Sequence, residues 1–291
     1  MGYCTNCGKS TNLSVPFCPY CFLDPNIPEN ILDQKIRKYS ISRPKDNFTI
    51  EYPGERTSLA LAIVISLLIG IAFSAITLGV FFLFLIIGLI FLKLKAAYIK
   101  ASYVRASKNS YQNIYNLGKV TSFRLGIPLY PIFIELNPSI NAYTSGFWGD
   151  HWIVLYSGLI NHLSENELLF VLGHEMGHIK REHTTWLNLA SPTSQYSLPI
   201  ISDLLKIIFN NWNLKAEFSA DRAGLVATKD LKTCISSLIK LVGEKDSIKI
   251  EEYLKEFEKK SADPLFKIGE YFRDHPYIPN RIKKLQDYAR N

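Results

Sequence analysis

The chain has 291 residues, 47% of them hydrophobic, and 33 Lys and Arg against 26 Asp and Glu give a formal net charge of +7. That length supports one sizeable core plus appendages. The positive excess is spread without a dense basic block, which argues against nucleic acid, because phosphate affinity needs clustered cations, and leaves an anionic membrane surface as another partner.

Four of the five cysteines lie at the N-terminal end, Cys4 and Cys7 in "CTNC" and Cys18 and Cys21 in "CPYC". Two Cys-x-x-Cys pairs joined by a short loop fit a closed tetrahedral zinc site, since thiolates suit this borderline-soft ion. Gly8 and Pro19 suit the tight turns. A structural zinc ribbon over residues 1–24 is expected, with two disulfides as the competing reading. A ribbon needs reduced thiols and so a reducing compartment. It also occupies the place of a secretory signal, and Asn6 stands where a myristoylation motif wants Ser or Thr. A polar connector follows over residues 25–57, with Pro25, Pro28, Pro44 and Pro53.

No charged residue interrupts positions 58–92. As one helix this run is about 52 Å long, against a hydrocarbon core of about 30 Å. That is too long for one upright span and short for two. Lys38, Arg43, Lys45 and Arg56 precede it; Lys93, Lys95, Lys100, Arg105 and Lys108 follow it. Positive flanks stay cytoplasmic. Two such flanks favour a transmembrane hairpin over residues 58–95, turning near 74–79, over one long tilted helix.

Residues 96–291 read as a soluble domain. "PLYPIFIEL" and "HWIVLYSG" read as strands, and "NPSINAYTSGFWGD" between them as turn residues. Ser164 with Glu167 forms a capping box, and "ENELLFVLGHEMGHIKREH" reads as one long helix from there. On that helix His174 and His178 lie about 40° apart, so both imidazoles reach one ion. Glu175 projects beside that face, where a carboxylate can take a proton from a water polarised by the ion. His183 lies about 180° from His174, which excludes it as a ligand and predicts a surface residue. His162 reads as a loop residue. Gly173 and Gly177 each cost about 1 kcal/mol relative to Ala in a helix, which predicts close approach of another backbone or a substrate.

A catalytic zinc wants three protein ligands and one open position. The helical segment 213–228 offers Glu217 as the third, on one face with Asp221 and flanked by Ala216, Ala220 and Gly224. Asp221 would hydrogen-bond the free ring nitrogen of a ligand histidine. Glu182, Asp150 and His151 rank below Glu217. Further on, Cys234 in "LKTCISSLIKLV" reads as a buried small apolar residue.

In order and spacing, "NAYTSG" from Asn141, the stretch from His151 to His183, "AEFSADRAG" and "DHPYIPNRI" resemble the HtpX and CAAX-prenyl endopeptidase type of membrane metallopeptidase, a gluzincin group. The likeness covers roughly residues 110–287. It implies a membrane zinc endopeptidase with His174, His178 and Glu217 as ligands and Glu175 as the base. It further implies a strand at Asn141 and Ala142 that pairs with substrate backbone, and His275 and Arg281 near the site to stabilise the oxyanion. Arg281 sits in the first turn of a helix begun at Pro279, where a cation opposes the dipole. Relatives carry more apolar spans before the third-ligand helix. Here "SLPIISDLLKIIFNNW" is interrupted by Asp203 and Lys206 and reads as an amphipathic cover, so an enclosed intramembrane chamber is not expected.

The expected fold is a mainly helical α+β zincin-like domain with a small sheet. The expected cofactors are one catalytic and one structural zinc. The resemblance alone implies the substrates, unfolded or membrane-associated proteins; the enzyme is expected to be an integral membrane protein whose ribbon and catalytic domain face the cytoplasm, with membrane lipid as a contact and no nucleic acid. The alternative is a catalytically inactive membrane adaptor binding protein or nucleic acid through its ribbon.

Overall fold

The computed structural model describes residues 2–3, 10–11, 49–76, 80–147, 149–190, 199–241 and 275–290, with isolated positions between 255 and 273. Cys4, Cys7, Cys18 and Cys21, and most of the connector, lie outside the described residues. Two short antiparallel strands, β1 (Gly2–Tyr3) and β2 (Ser10–Thr11), bracket the first cysteine pair in sequence.

The apolar run forms two helices, α1 (Glu55–Ile76) and α2 (Val80–Ser102), with residues 77–79 outside the description. Among the described residues one helix is long and apolar enough to cross a membrane, with its span at Glu55–Ala72 and a mean hydropathy of 1.8. Leu61, Leu67, Leu68 and Ile71 on α1 and Ile86, Ile90 and Leu94 on α2 are all exposed. The two far ends are not. Ala62 packs with Phe209, Trp212 and Ala216. Ile99 packs with Phe133, Trp152 and Val154, and Lys100 Nζ pairs with Asp150 at 2.7 Å. Both feet of the pair therefore stand on the folded domain.

That domain opens with β3 (Val104–Arg105) and α3 (Gln112–Leu125). The strands β4 (Ile132–Glu135), β5 (Ala142–Phe147) and β6 (Asp150–Tyr156) complete a four-stranded sheet in the order β3-β4-β6-β5. β6 runs parallel to β4 and antiparallel to the edge strand β5. Residues 142–147 are a strand, as the resemblance implied at Ala142, and not the turn that their residue types suggested. Period-two alternation splits the sheet's faces. Ile132, Ile134, Ile153 and Leu155 enter the main core, while Phe133, Trp152 and Val154 face the foot of α2.

Behind the sheet lie α4 (Ser157–His162), α5 (Glu165–Lys180), α6 (His183–Ala190), α7 (Pro199–Thr228), α8 (Leu231–Lys240) and α9 (Ile278–Arg290). α5 starts at the expected capping box, with Ser164 N donating to Glu167 Oε2 at 2.8 Å. The segments read separately as an amphipathic cover and a ligand helix are one continuous helix, α7. α5 and α7 cross almost backbone to backbone. A Cβ on Gly173 would lie 2.5 Å from Ala227 Cβ, and one on Gly177 would lie 2.6 Å from Ala223 Cβ. The two glycines thus meet the small-residue stripe of α7, and their helix cost has its compensation. Cys234 is fully buried.

Candidate metal centre

The close crossing decides what the site contains. With α5 and α7 this near, His174 and His178 from one helix face Glu217 from the other, all three buried. His174 Nε2 lies 3.1 Å from His178 Nε2. Glu217 Oε1 is 3.4 Å from His178 Nε2, and Glu217 Oε2 is 3.7 Å from His174 Nε2. Ligands bound at 2.0–2.1 Å in a tetrahedron sit roughly 3.3 Å apart, and the three separations bracket that value. Two neutral ring nitrogens that face each other repel unless a cation or proton lies between them. Glu217 Oε2 is buried 2.8 Å from His275 Nδ1 and 3.6 Å from Arg281 Nη1, surroundings that keep the carboxylate ionised and able to ligate. Both features fit a divalent cation with nitrogen and oxygen preference, of which zinc is the natural candidate. Among the described residues this is the one group of three His, Cys, Asp or Glu side chains gathered tightly enough for a metal, with donor atoms within 4.8 Å of one another.

Around this triad each side chain has a support. His174 Nδ1 lies 3.0 Å from Asp221 Oδ1. Arg281, buried on α9, grips Asp221 twice, Nε donating to Oδ2 at 2.8 Å and Nη2 to Oδ1 at 2.6 Å. Burial alone would raise the Asp221 carboxyl, but the Arg281 charge and hydrogen bonds hold it below its ordinary value. Arg281 Nη1 also stands 3.6 Å from Glu217 Oε2. The cation that opposes its own helix dipole is offset by these two carboxylates. His275 brings Nδ1 to 2.8 Å from Glu217 Oε2, with its side chain 65% exposed. Burial would raise Glu217 too; the His275 charge and the hydrogen bonds from His178 and His275 instead keep it well below the carboxylate range.

Glu175, beside the triad, accepts a hydrogen bond on Oε2 from Thr144 Oγ1 at 2.6 Å. The same hydroxyl lies 3.3 Å from the Glu175 backbone carbonyl, so β5 is fastened to α5 at that residue. Thr144 escaped the sequence reading because its stretch read as turn. Asn141 and Ala142 stand at the start of the same edge strand, with Ala142 N donating to Asn141 Oδ1 at 2.9 Å.

One expectation is overturned. α5 does not run on to His183. It ends at Lys180, and Glu182 takes a left-handed conformation at φ 58° that turns the chain into α6. His183, expected on the surface opposite His174, is fully buried, with Nδ1 3.0 Å from His178 Nδ1. Its Nε2 lies 3.2 Å from Glu55 Oε1. Burial pushes the His183 imidazole down to about 4, against the pull of that carboxylate. Glu55 is itself buried, held by Arg181 Nη2 at 2.9 Å and by the Ser219 hydroxyl. Neither Glu55 nor Ser219 was singled out in the sequence; Glu55 fell within the connector.

The remaining candidates lie elsewhere. Glu182 is exposed and accepts from Thr185, Asp150 pairs with Lys100, and His151 is buried 3.0 Å from Thr184 Oγ1. His162 is the last residue of α4 and not a loop residue.

Comparison with known proteins adds an independent finding. Residues 112–289 match peptidase family M48. The chain is 30% identical over 209 residues to the plastoglobule-localized metallopeptidase 48 of Arabidopsis thaliana, covering 65% of this chain and 60% of that one. It is 34% identical over 125 residues to a CAAX prenyl protease 1 homolog of Dictyostelium discoideum, covering 41% of this chain and 26% of that protein. A protease HtpX homolog of Tropheryma whipplei is 32% identical over 77 residues, 26% of each chain. This chain thus aligns with 60% of the first relative's length and about a quarter of the other two.

Proposed function

The chain belongs to peptidase family M48, and we propose that it is a membrane-anchored zinc metalloendopeptidase that cleaves unfolded or membrane-associated proteins. The observation that carries this reading is the buried His174–His178–Glu217 triad, with donor separations of 3.1 to 3.7 Å, beside the Glu175 carboxylate. A zinc ion held by these three side chains supplies Lewis acidity, polarising a carbonyl and bringing the pKa of a water to about 7.

The chain's own groups do the rest. Glu175 takes the proton of the attacking water on a carboxylate oxygen and returns it to the leaving amine. Thr144, bonded to Oε2, fixes which way that carboxylate points. His275 is the exposed one of the two C-terminal candidates, and its charge is favoured by Glu217, so it offers a donor to the developing oxyanion. Arg281 works mainly by holding Asp221, and through it His174. A substrate strand added along β5, from Asn141 and Ala142, would bring its backbone past Thr144 and Glu175 without selecting sequence.

The anchor reading rests on the exposed apolar faces of α1 and α2 and the seating of both far ends on one domain. With basic flanks on either side, that arrangement supports a hairpin whose ribbon and catalytic domain share the cytoplasmic side. Cys4, Cys7, Cys18 and Cys21 would hold the structural zinc, outside the described residues.

The test is hydrolysis of unfolded casein by the full-length protein in detergent, wild type against Glu175→Gln. Cleavage by the wild type, with a drop of at least about a hundredfold in the variant, supports the assignment. Equal cleavage by both removes Glu175 from the mechanism.

A further inference from the structure

The two ligand histidines differ in what stands behind them. His174 leans directly on a carboxylate, Asp221, and that carboxylate on Arg281. Behind His178 the carboxylate is one residue further away. His178 Nδ1 meets His183 Nδ1 at 3.0 Å, His183 Nε2 meets Glu55 Oε1 at 3.2 Å, and Glu55 leans on Arg181 at 2.9 Å. The second carboxylate comes from the first residue of α1, the helix that leads into the apolar hairpin.

Proton positions follow from ligation. His178 presents Nε2 toward His174 and Glu217, so a metal there takes the Nε2 lone pair. The ring proton of His178 then sits on Nδ1 and is donated to His183. His183 must accept on Nδ1, so its own proton sits on Nε2 and is donated to Glu55. The chain is directional and ends on a carboxylate that is buried and doubly held. Partners of this kind fix the tautomer of a ligand histidine, orient its ring and raise its basicity.

We propose that Glu55 is a positioning residue for the metal centre, acting on His178 through His183, so that the foot of the membrane anchor is a working part of the site. This rests on the reading of His174, His178 and Glu217 as zinc ligands. The surrounding bonds make Glu55 rigid enough for the task. Tyr52 N donates to Ser219 Oγ at 2.7 Å, Lys215 Nζ to Ser58 Oγ at 2.6 Å, and Arg222 Nη1 to the Glu51 carbonyl at 2.6 Å. The first turn of α1 and the residues just before it are thereby laced to α7, the helix that carries Glu217. The competing role for Glu55 is a plain structural one, an ion pair with Arg181 that holds α1 against α5.

Zinc affinity separates the two. Chelator competition on the full-length protein in detergent would compare Glu55→Gln, His183→Ala and the double variant, with Cys4→Ser and Cys7→Ser in every sample to remove thiolate-bound zinc. Melting of the EDTA-treated proteins reports folding separately. Loss of an outer partner of a ligand histidine costs about ten- to a hundredfold in metal affinity, and that loss is expected for each single variant. Because both act through His178, the double variant should be no weaker than the worse single one. Unchanged zinc affinity in Glu55→Gln, or independent losses that multiply in the double variant, would overturn the proposal. Failure of the parent protein to take up zinc would instead overturn the ligand reading beneath it.

Discussion

Gly177→Ala is the substitution that most sharply separates packing from propensity. In an isolated helix the change is worth about 1 kcal/mol of added stability. Here the new methyl would lie 2.6 Å from Ala223 Cβ and 3.1 Å from Ala220 Cα. Carbon atoms in contact prefer about 3.5–4.0 Å, so α5 and α7 must separate by about 1 Å. Overpacking of this kind costs about 1–3 kcal/mol, which leaves a net loss of about 0–2 kcal/mol. The metal site has less tolerance. Glu217 Oε1 and His178 Nε2, now 3.4 Å apart, would move to about 4.4 Å, while two ligands at 2.1 Å cannot span more than about 4.2 Å even in a straight line. A small fall in melting temperature should therefore accompany a collapse of zinc affinity, measured by chelator competition beside a thermal melt. Ala223→Gly, added to the same chain, should return most of the affinity by making room for the methyl. A Gly177→Ala protein that melts higher than wild type and holds zinc as tightly would refute the account of why the helices cross here.

Other consequences follow from the supports of the site and of its helix. Thr144→Val removes the hydroxyl that orients the Glu175 carboxylate, so kcat should fall roughly tenfold, about 1.4 kcal/mol of barrier, while KM and zinc content stay near wild type. A drop in zinc content instead would move Thr144 from the base to the ligands. Glu167 is depressed to about 2: burial would raise it, but hydrogen bonds from Ser236, the Ser164 backbone and hydroxyl, and Lys240 dominate. A depressed carboxylate stabilises the fold fully above its ordinary value of 4.5, and that contribution disappears as the pH falls toward about 2. Glu167→Gln should lower stability at neutral pH and flatten the acid limb between those values in a series of urea melts. An acid limb as steep as the wild type's would assign the loss to other carboxylates.

The residues that lie on one regular element were legible in the sequence. His174, Glu175 and His178 follow from helical pitch, Ser164 and Glu167 from the capping pattern, and Glu217 with Asp221 from a one-turn spacing. Gly173 and Gly177 even signalled the close crossing, because their cost had to be offset by something. What was hidden depends on a break or on distant chain. His183 could not be placed from a wheel, since the helix ends at Lys180, three residues before it, and a left-handed Glu182 turns the chain. Thr144 was lost among Asn, Pro, Ser and Gly residues that usually mark turns, although the strand is held by pairing with β6, from Ala142↔Leu155 to Phe147↔Asp150. Glu55, 128 residues from His183, fell within the stretch read as a polar connector, where nothing tied it to the site.

The most direct test of the central claim is elemental zinc per folded chain in the full-length protein and in a His174→Ala, His178→Ala double variant, each assayed on unfolded casein. The account predicts two zinc ions and cleavage in the wild type, and one ion with no cleavage in the variant, the survivor being bound by cysteines. A variant that keeps the wild-type zinc content and still cleaves would contradict it.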